Sequence, residues 1–149
     1  MRRILFVCHG NICRSPMAAC VLGYLARERG MAGRLHIGSA ATSAEELGNP
    51  IYPPARRTLE KHGVPPDGHR AVQLAAADYE RYDYLIGMDS RNLANMLRIL
   101  GADPQNKVCR LLDFTDRPGD IADPWYTGDF EAAFQAVWAG CEGLLASLE

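Results

Sequence analysis

Residues 2–30, RRILFVCHGNICRSPMAACVLGYLARERG, decide how the chain folds. After two basic residues the run Ile4–Val7 is apolar and stops where small and polar residues begin, the pattern of a strand buried on both faces of a parallel sheet. From Pro16 onward, Met17, Cys20, Val21, Tyr24 and Leu25 recur at helical spacing, with proline near the start and Gly30 at the end. Strand, short loop and helix in this order place Cys8 just past the carboxyl end of a strand, where open α/β sheets bind their ligands.

The same alternation continues. RLHIGSAA (34–41) reads as a second strand and PPARRTLEKHG (53–63) as a helix opened by proline and closed by Gly63. YDYLIGM (82–88) makes a third strand, and DSRNLANMLRILG (89–101) a helix with an Asp/Ser start and Leu93, Met96, Leu97 and Leu100 on one stripe. KVCRLL (107–112) is a shorter fourth strand. After the loop 113–129, residues 130–149 carry Phe130, Phe134, Val137, Trp138, Cys141, Leu144 and Leu145 on one face, as a long final helix. Strands alternating with helices predict an open parallel α/β sheet covered on both sides.

Composition narrows the function classes. A chain of 149 residues, 48% of them hydrophobic, suits one domain with one core. Sixteen basic and 18 acidic side chains are interspersed, for a formal charge of −2, so no broad basic surface is offered to nucleic acid or anionic lipid. No run of about 18 apolar residues could span a membrane, and the first residues are too soon interrupted for a signal peptide. Five cysteines (Cys8, Cys13, Cys20, Cys109 and Cys141) form no dense disulfide framework, which points to reduced thiols and the cytoplasm. A monomer is the simplest assembly.

The loop itself reads as chemistry. Gly10 and Asn11 are the residue types that most easily take left-handed backbone angles, so the loop can curl until successive N–H groups point inward as an anion nest. The following helix adds its positive end. Arg14 supplies planar donors that match a phosphate bidentately. These dipoles and this cation also favour the thiolate, the nucleophilic form, at Cys8. Ser15 can hydrogen-bond the sulfur and make it a better leaving group. A lone cysteine at a strand end is ordinarily packing; Gly, Asn, Arg and Ser at these offsets instead specify attack on phosphorus. Zinc is a poor alternative, because the two loop cysteines lack a second ligand pair.

The Cys-x5-Arg-Ser-Pro pattern within VCHGNICRSPMA (7–18) resembles the phosphate loop of the low-molecular-weight protein tyrosine phosphatases, and DPWYTGDFE (123–131) resembles that family's second motif. The similarity runs nearly end to end. It implies a single domain over 1–149, a four-stranded parallel sheet of flavodoxin-like (phosphotyrosine phosphatase I-like) type, and hydrolysis of phosphotyrosine in a protein substrate through a phosphocysteine, with no metal or organic cofactor. Cys8, Arg14 and Asp123 are then the catalytic set. His9, Gly10, Asn11, Ile12, Cys13 and Ser15 form the phosphate loop, and Asn11 holds its curl. His69 resembles a family histidine bracing that asparagine.

The departing aryl oxygen needs a proton, and Asp123, stiffened by Pro124, is the best candidate to supply it. Asp120 and Asp129 are alternatives, the latter better read as a helix cap. Trp125 and Tyr126 offer flat faces with which to wall an aromatic pocket. Cys13 is a candidate partner of Cys8 in a reversible disulfide under peroxide.

Rivals remain within the family and outside it. The loop 39–55 lacks the tryptophan frequent in eukaryotic members and offers Glu45, Glu46, Leu47 and Tyr52 instead; the Glu pair reads first as a solvated turn, and otherwise as an acidic rim that would repel acidic phosphopeptides. Relatives that dephosphorylate arginine carry threonine where this chain has Ile12. Arsenate reductases of this fold need a cysteine pair near the helix at 89–101, which this chain lacks. A phosphate-binding module without turnover would need neither a reactive thiolate nor Asp123.

Overall fold

The computed structural model describes residues 1–149. Strands β1 (Arg2–Cys8), β2 (Leu35–Ala41), β3 (Tyr84–Gly87) and β4 (Val108–Arg110) form one sheet in the order β2-β1-β3-β4, every neighbouring pair parallel. Helices α1 (Arg14–Glu28), α2 (Pro53–Lys61), α3 (Asp78–Arg81), α4 (Ser90–Leu100), α5 (Pro124–Thr127) and α6 (Phe130–Leu148) complete the chain. From β1 the chain steps to β2 on one side and later to β3 on the other, so the loop after β1 lies where the winding reverses, the position at which such sheets bind ligands.

β1 is central because its sequence allows burial on both faces. Ile4, Phe6 and Cys8 point into the larger apolar core with α1, α2 and α6, which contribute Met17, Val21, Leu59, Phe134, Val137 and Leu144. Leu5 and Val7 point the other way, into a smaller core with Leu85 and Met96 of α4. Complete burial of a side chain such as Phe6 stabilises by about 1.5–3 kcal/mol. With alternate residues anchored on opposite faces, a one-residue slip of β1 would exchange both cores, so the height at which Cys8 emerges is fixed.

Two expectations need correction. KVCRLL is a strand only over Val108–Arg110; Asp113 accepts the Arg110 N–H at 3.0 Å, and this turns Leu111–Phe114 into a 3-10 helix. In α4, Leu97 is exposed, lying one step around the helix from the stripe that Met96 buries. Asn92 is buried instead, accepting the Met88 N–H through Oδ1 at 3.0 Å. No helix is long and apolar enough to cross a membrane.

Where α6 crosses the 3-10 turn, a Cβ on Gly143 would run into the backbone carbonyl of Phe114, whereas one on Gly140 would meet the side chain of Leu111. Backbone yields less readily than a leucine tip. Gly143→Ala is therefore expected to destabilise by about 1–3 kcal/mol despite alanine's better helix propensity. The urea midpoint should fall at unchanged slope; an increase would show that the turn moves aside at little cost.

Candidate active site

The site grows from the junction of β1 and α1. Cys8 ends the strand with its side chain almost wholly buried, and its Sγ lies 3.0 Å from Ser15 Oγ and 3.3 Å from the Asn11 N–H. Asn11 adopts φ +59°, the left-handed turn that curls the loop. Gly10 was expected to share that conformation and does not, because the single residue Asn11 makes the reversal.

The hydrogen bonds around Asn11 fix each other's direction. Its Oδ1 accepts the backbone N–H of Val72 at 3.1 Å, so the amide nitrogen must face the other way, where Nδ2 donates to Ser15 Oγ at 2.7 Å. With that oxygen accepting, the Ser15 hydroxyl is free to donate to Cys8 Sγ. The Asn11 carbonyl accepts from His69 Nε2 at 2.6 Å, and since a carbonyl only accepts, Nε2 carries the proton. His69, read from the family likeness, thus braces the loop through its backbone.

α1 opens at Arg14 with no side-chain cap from Cys13, and the amides of Arg14 and Ser15, at the helix N-terminus beside the loop, have no intrahelical partner. Arg14 itself is 2% exposed. Its Nη1 donates to Asp89 Oδ2 and to the Ile121 carbonyl, both at 2.7 Å, and Nη2 lies 3.4 Å from Asp123 Oδ2. Burial opposes the charge, but Cys8, Asp89 and Asp123 outweigh it and hold the guanidinium above its ordinary pKa.

Asp89 is the member that reading the sequence missed. It reads there only as a helix start, and it does cap α4, Oδ1 accepting the Asn92 N–H at 2.7 Å. Its other oxygen aims Arg14. The available signal was its place two residues after β3, the strand beside β1, and that neighbour relation comes from sheet order.

The three candidate acids separate cleanly. Asp123 faces the loop, with Oδ1 accepting the Trp125 N–H at 3.0 Å and Oδ2 turned to Arg14. Asp120 is engaged by Ser90 and by Arg110 at 3.1 Å; despite burial, Ser90 and Arg110 hold it below the usual carboxylate range. Asp129 caps α6 through the Ala132 N–H at 2.9 Å, as its position suggested.

A pocket of about 100 Å³ gathers every loop residue from Cys8 to Arg14 except Asn11, together with Asp123, Trp125 and Tyr126. Asn11 and Ser15 lie fully buried as supports. Trp125 is 52% and Tyr126 81% exposed, so their faces are open to a ligand rather than spent in the core. Glu45 and Glu46 lie in a turn, Glu45 largely exposed, and that turn also forms part of the pocket rim, with Glu45 reaching His9 Nε2 at 3.2 Å. Cys13 lines the pocket as well, but burial, with the negative charges of Cys8 and Asp123, pushes its thiol pKa well up, so it stays protonated. Cys109 sits in β4 and Cys141 in the core of α6, and α4 itself carries no cysteine. No three His, Cys, Asp or Glu side chains gather as metal ligands.

Buried thiol, loop and helix-start amides, an aimed guanidinium and a mostly covered carboxylate can together hold a phosphate and exchange its ester oxygen for sulfur. Comparison with known proteins agrees with that chemistry. The family model described as low molecular weight phosphotyrosine protein phosphatase matches residues 3–149. A Bacillus subtilis relative, low molecular weight protein-tyrosine-phosphatase YfkJ, is 38% identical across 100% of this chain and 97% of its own length. The crystal structure of YfkJ superposes with a TM-score of 0.96 over 99% of this chain and 94% of that one. Staphylococcus epidermidis PtpA, named likewise, is 35% identical over 97% of this chain and 92% of its own. A structure titled drosophila arginine phosphatase is 27% identical, with a TM-score of 0.90 over 100% of this chain and 98% of that one. The chain belongs to the low molecular weight phosphotyrosine protein phosphatase family, a family of hydrolases.

Proposed function

We propose that this chain hydrolyses phosphotyrosine in protein substrates through a phosphocysteine on Cys8. The observation that carries the reading is the convergence of Cys8, Arg14 and Asp123 on one small pocket at the carboxyl end of β1. The loop amides and Arg14 hold the phosphoryl oxygens; the Cys8 thiolate attacks phosphorus as the P–O bond to the phenol breaks. Asp123 gives its proton to the departing phenolate oxygen. Water then attacks the phosphocysteine, its proton passing to the Asp123 carboxylate, and the P–S bonding pair returns to sulfur. The Ser15 hydroxyl, aimed at Sγ by Asn11, eases that departure. The substrate phosphate would displace Asp123 from Nη2 of Arg14, which turns the carboxyl toward the leaving group.

Every residue that the proposed reaction uses comes from one chain, and none of its steps calls on a metal or organic cofactor. Five unpaired thiols favour a reducing, cytoplasmic setting. Cys13 lies on the same loop and lines the same pocket as Cys8: peroxide converts the Cys8 thiolate to a sulfenic acid, which removes one of the negative charges that keep the Cys13 thiol protonated, and that thiol then condenses with the sulfenic acid, releasing water and forming a disulfide. A second substrate reading, phosphoarginine, is favoured by Glu45 and Glu46 at the pocket, which suit a basic leaving group. Ile12, a buried residue lining the same pocket, weighs toward the aryl ester.

With reduced protein in excess chelator, aryl phosphate hydrolysis should persist, vanish in Cys8→Ser and fall about 10²–10⁴-fold in Asp123→Ala. Phosphate binding without wild-type turnover on either phosphotyrosine or phosphoarginine would make the protein a binding module. Ile12→Thr should raise the ratio of phosphoarginine to phosphotyrosine turnover; an unchanged ratio removes Ile12 as a determinant. After a peroxide pulse, thiol reductant should restore the wild type more fully than Cys13→Ser, and equal recovery would refute the protective disulfide.

A further inference from the structure

We propose that Tyr52 is a positioning residue for Asp123, acting through the ring of Trp125. The inference rests on the reading of Asp123 as the general acid. Tyr52 ends the segment between β2 and α2, immediately before Pro53 and Pro54. Its backbone N–H donates to the carbonyl of Ile12 at 2.8 Å, so it is fixed to the loop that carries the nucleophile. Its side chain packs against the small apolar cluster of Ile12, Cys13 and Ala71. From there the ring meets Trp125, centroids 4.8 Å apart at 52°, and Phe130, at 6.0 Å and 34°. The N–H of Trp125 holds Asp123 Oδ1. Three contacts therefore join the phosphate loop to the acid: Ile12 carbonyl to Tyr52 amide, ring to ring, and Trp125 amide to carboxylate.

The acid segment has a tether on its other side, where the Ile121 N–H donates to the Met88 carbonyl at 2.9 Å. Between these holds, the free oxygen of Asp123 meets only Arg14. Half its surface being exposed, the Trp125 ring is not located by burial; the ring of Tyr52 locates it. No hydrogen bond to the Tyr52 hydroxyl contributes, so the contact is one between the two tilted rings. The Pro-Pro pair behind Tyr52 restricts its backbone and makes the support stiff.

General acid catalysis requires the proton within hydrogen-bond reach of the leaving oxygen, and a misplacement of about 1 Å can cost about 10²-fold. The loss from loosening Trp125 should therefore scale with how much the leaving phenol needs a proton, which a general structural defect would not reproduce. The measurement is kcat/KM across a series of aryl phosphates with phenols of graded acidity. Asp123→Ala should make the dependence steep against a shallow wild type. Tyr52→Ala should lose about tenfold or more on the least acidic phenol and less than about threefold on the most acidic. Tyr52→Leu, which keeps apolar bulk against Ile12 and Phe130, should steepen the series too and serves if the alanine variant folds poorly. Tyr52→Phe should restore the shallow dependence, and in a Trp125→Ala background Tyr52→Ala should add no further slope.

Equal loss across the series in both Tyr52→Ala and Tyr52→Leu, or a Tyr52→Phe slope as steep as that of Tyr52→Ala, overturns the proposal. A steep Asp123→Ala series beside shallow Tyr52→Ala and Tyr52→Leu series overturns the role of Tyr52 alone. A shallow series in Asp123→Ala overturns the acid assignment and Tyr52 with it.

Discussion

The carboxamide of Asn11 holds the geometry on which the site depends. Asparagine takes a left-handed turn more readily than most residues, and here both ends of its side chain hold it there. The Val72 amide fixes one end and Ser15 receives the other, while His69 secures the backbone carbonyl. The turn thus does more than bend the chain. It orients a hydroxyl proton toward sulfur, through bonds whose directions follow from the donor and acceptor count alone.

Arg14 presents the complementary constraint. A guanidinium removed from water is costly unless paired and hydrogen-bonded, and three partners from two different loops meet that need. Asp89 holds one face rigidly because it is itself fixed as the cap of α4. Asp123 holds another more loosely, at 3.4 Å, with its second oxygen engaged by the turn that follows it. Rigid on one side and exchangeable on the other, the arginine keeps its aim while leaving a donor for a ligand oxygen.

Much of this was legible in the sequence where physics acts locally. The apolar run of β1, the polar loop, the helical stripe of α1 and the cap at Asp129 all depend on residues within a few positions of one another. What escaped depends on three-dimensional neighbours. Asp89 needs β3 to lie beside β1 before its second oxygen has anything to aim. The end of β4 was misread because an apolar Leu-Leu pair suggests a strand, while Asp113 pulls the Arg110 amide into a turn. Gly10 was credited with a backbone conformation that its neighbour supplies.

The supports of the loop have one further property: they come from far along the chain. His69 and Val72 are 58 and 61 residues from Asn11, Asp89 is 75 residues from Arg14, and Ile121 is 107. Contacts of such separation close late, after the entropy of large loops has been lost. Until most of the polypeptide has been made and folded, Cys8 has neither the Ser15 hydroxyl aimed at its sulfur nor the buried guanidinium beside it. The surroundings that the proposed reaction needs belong to the finished molecule, and the growing chain carries Cys8 without them.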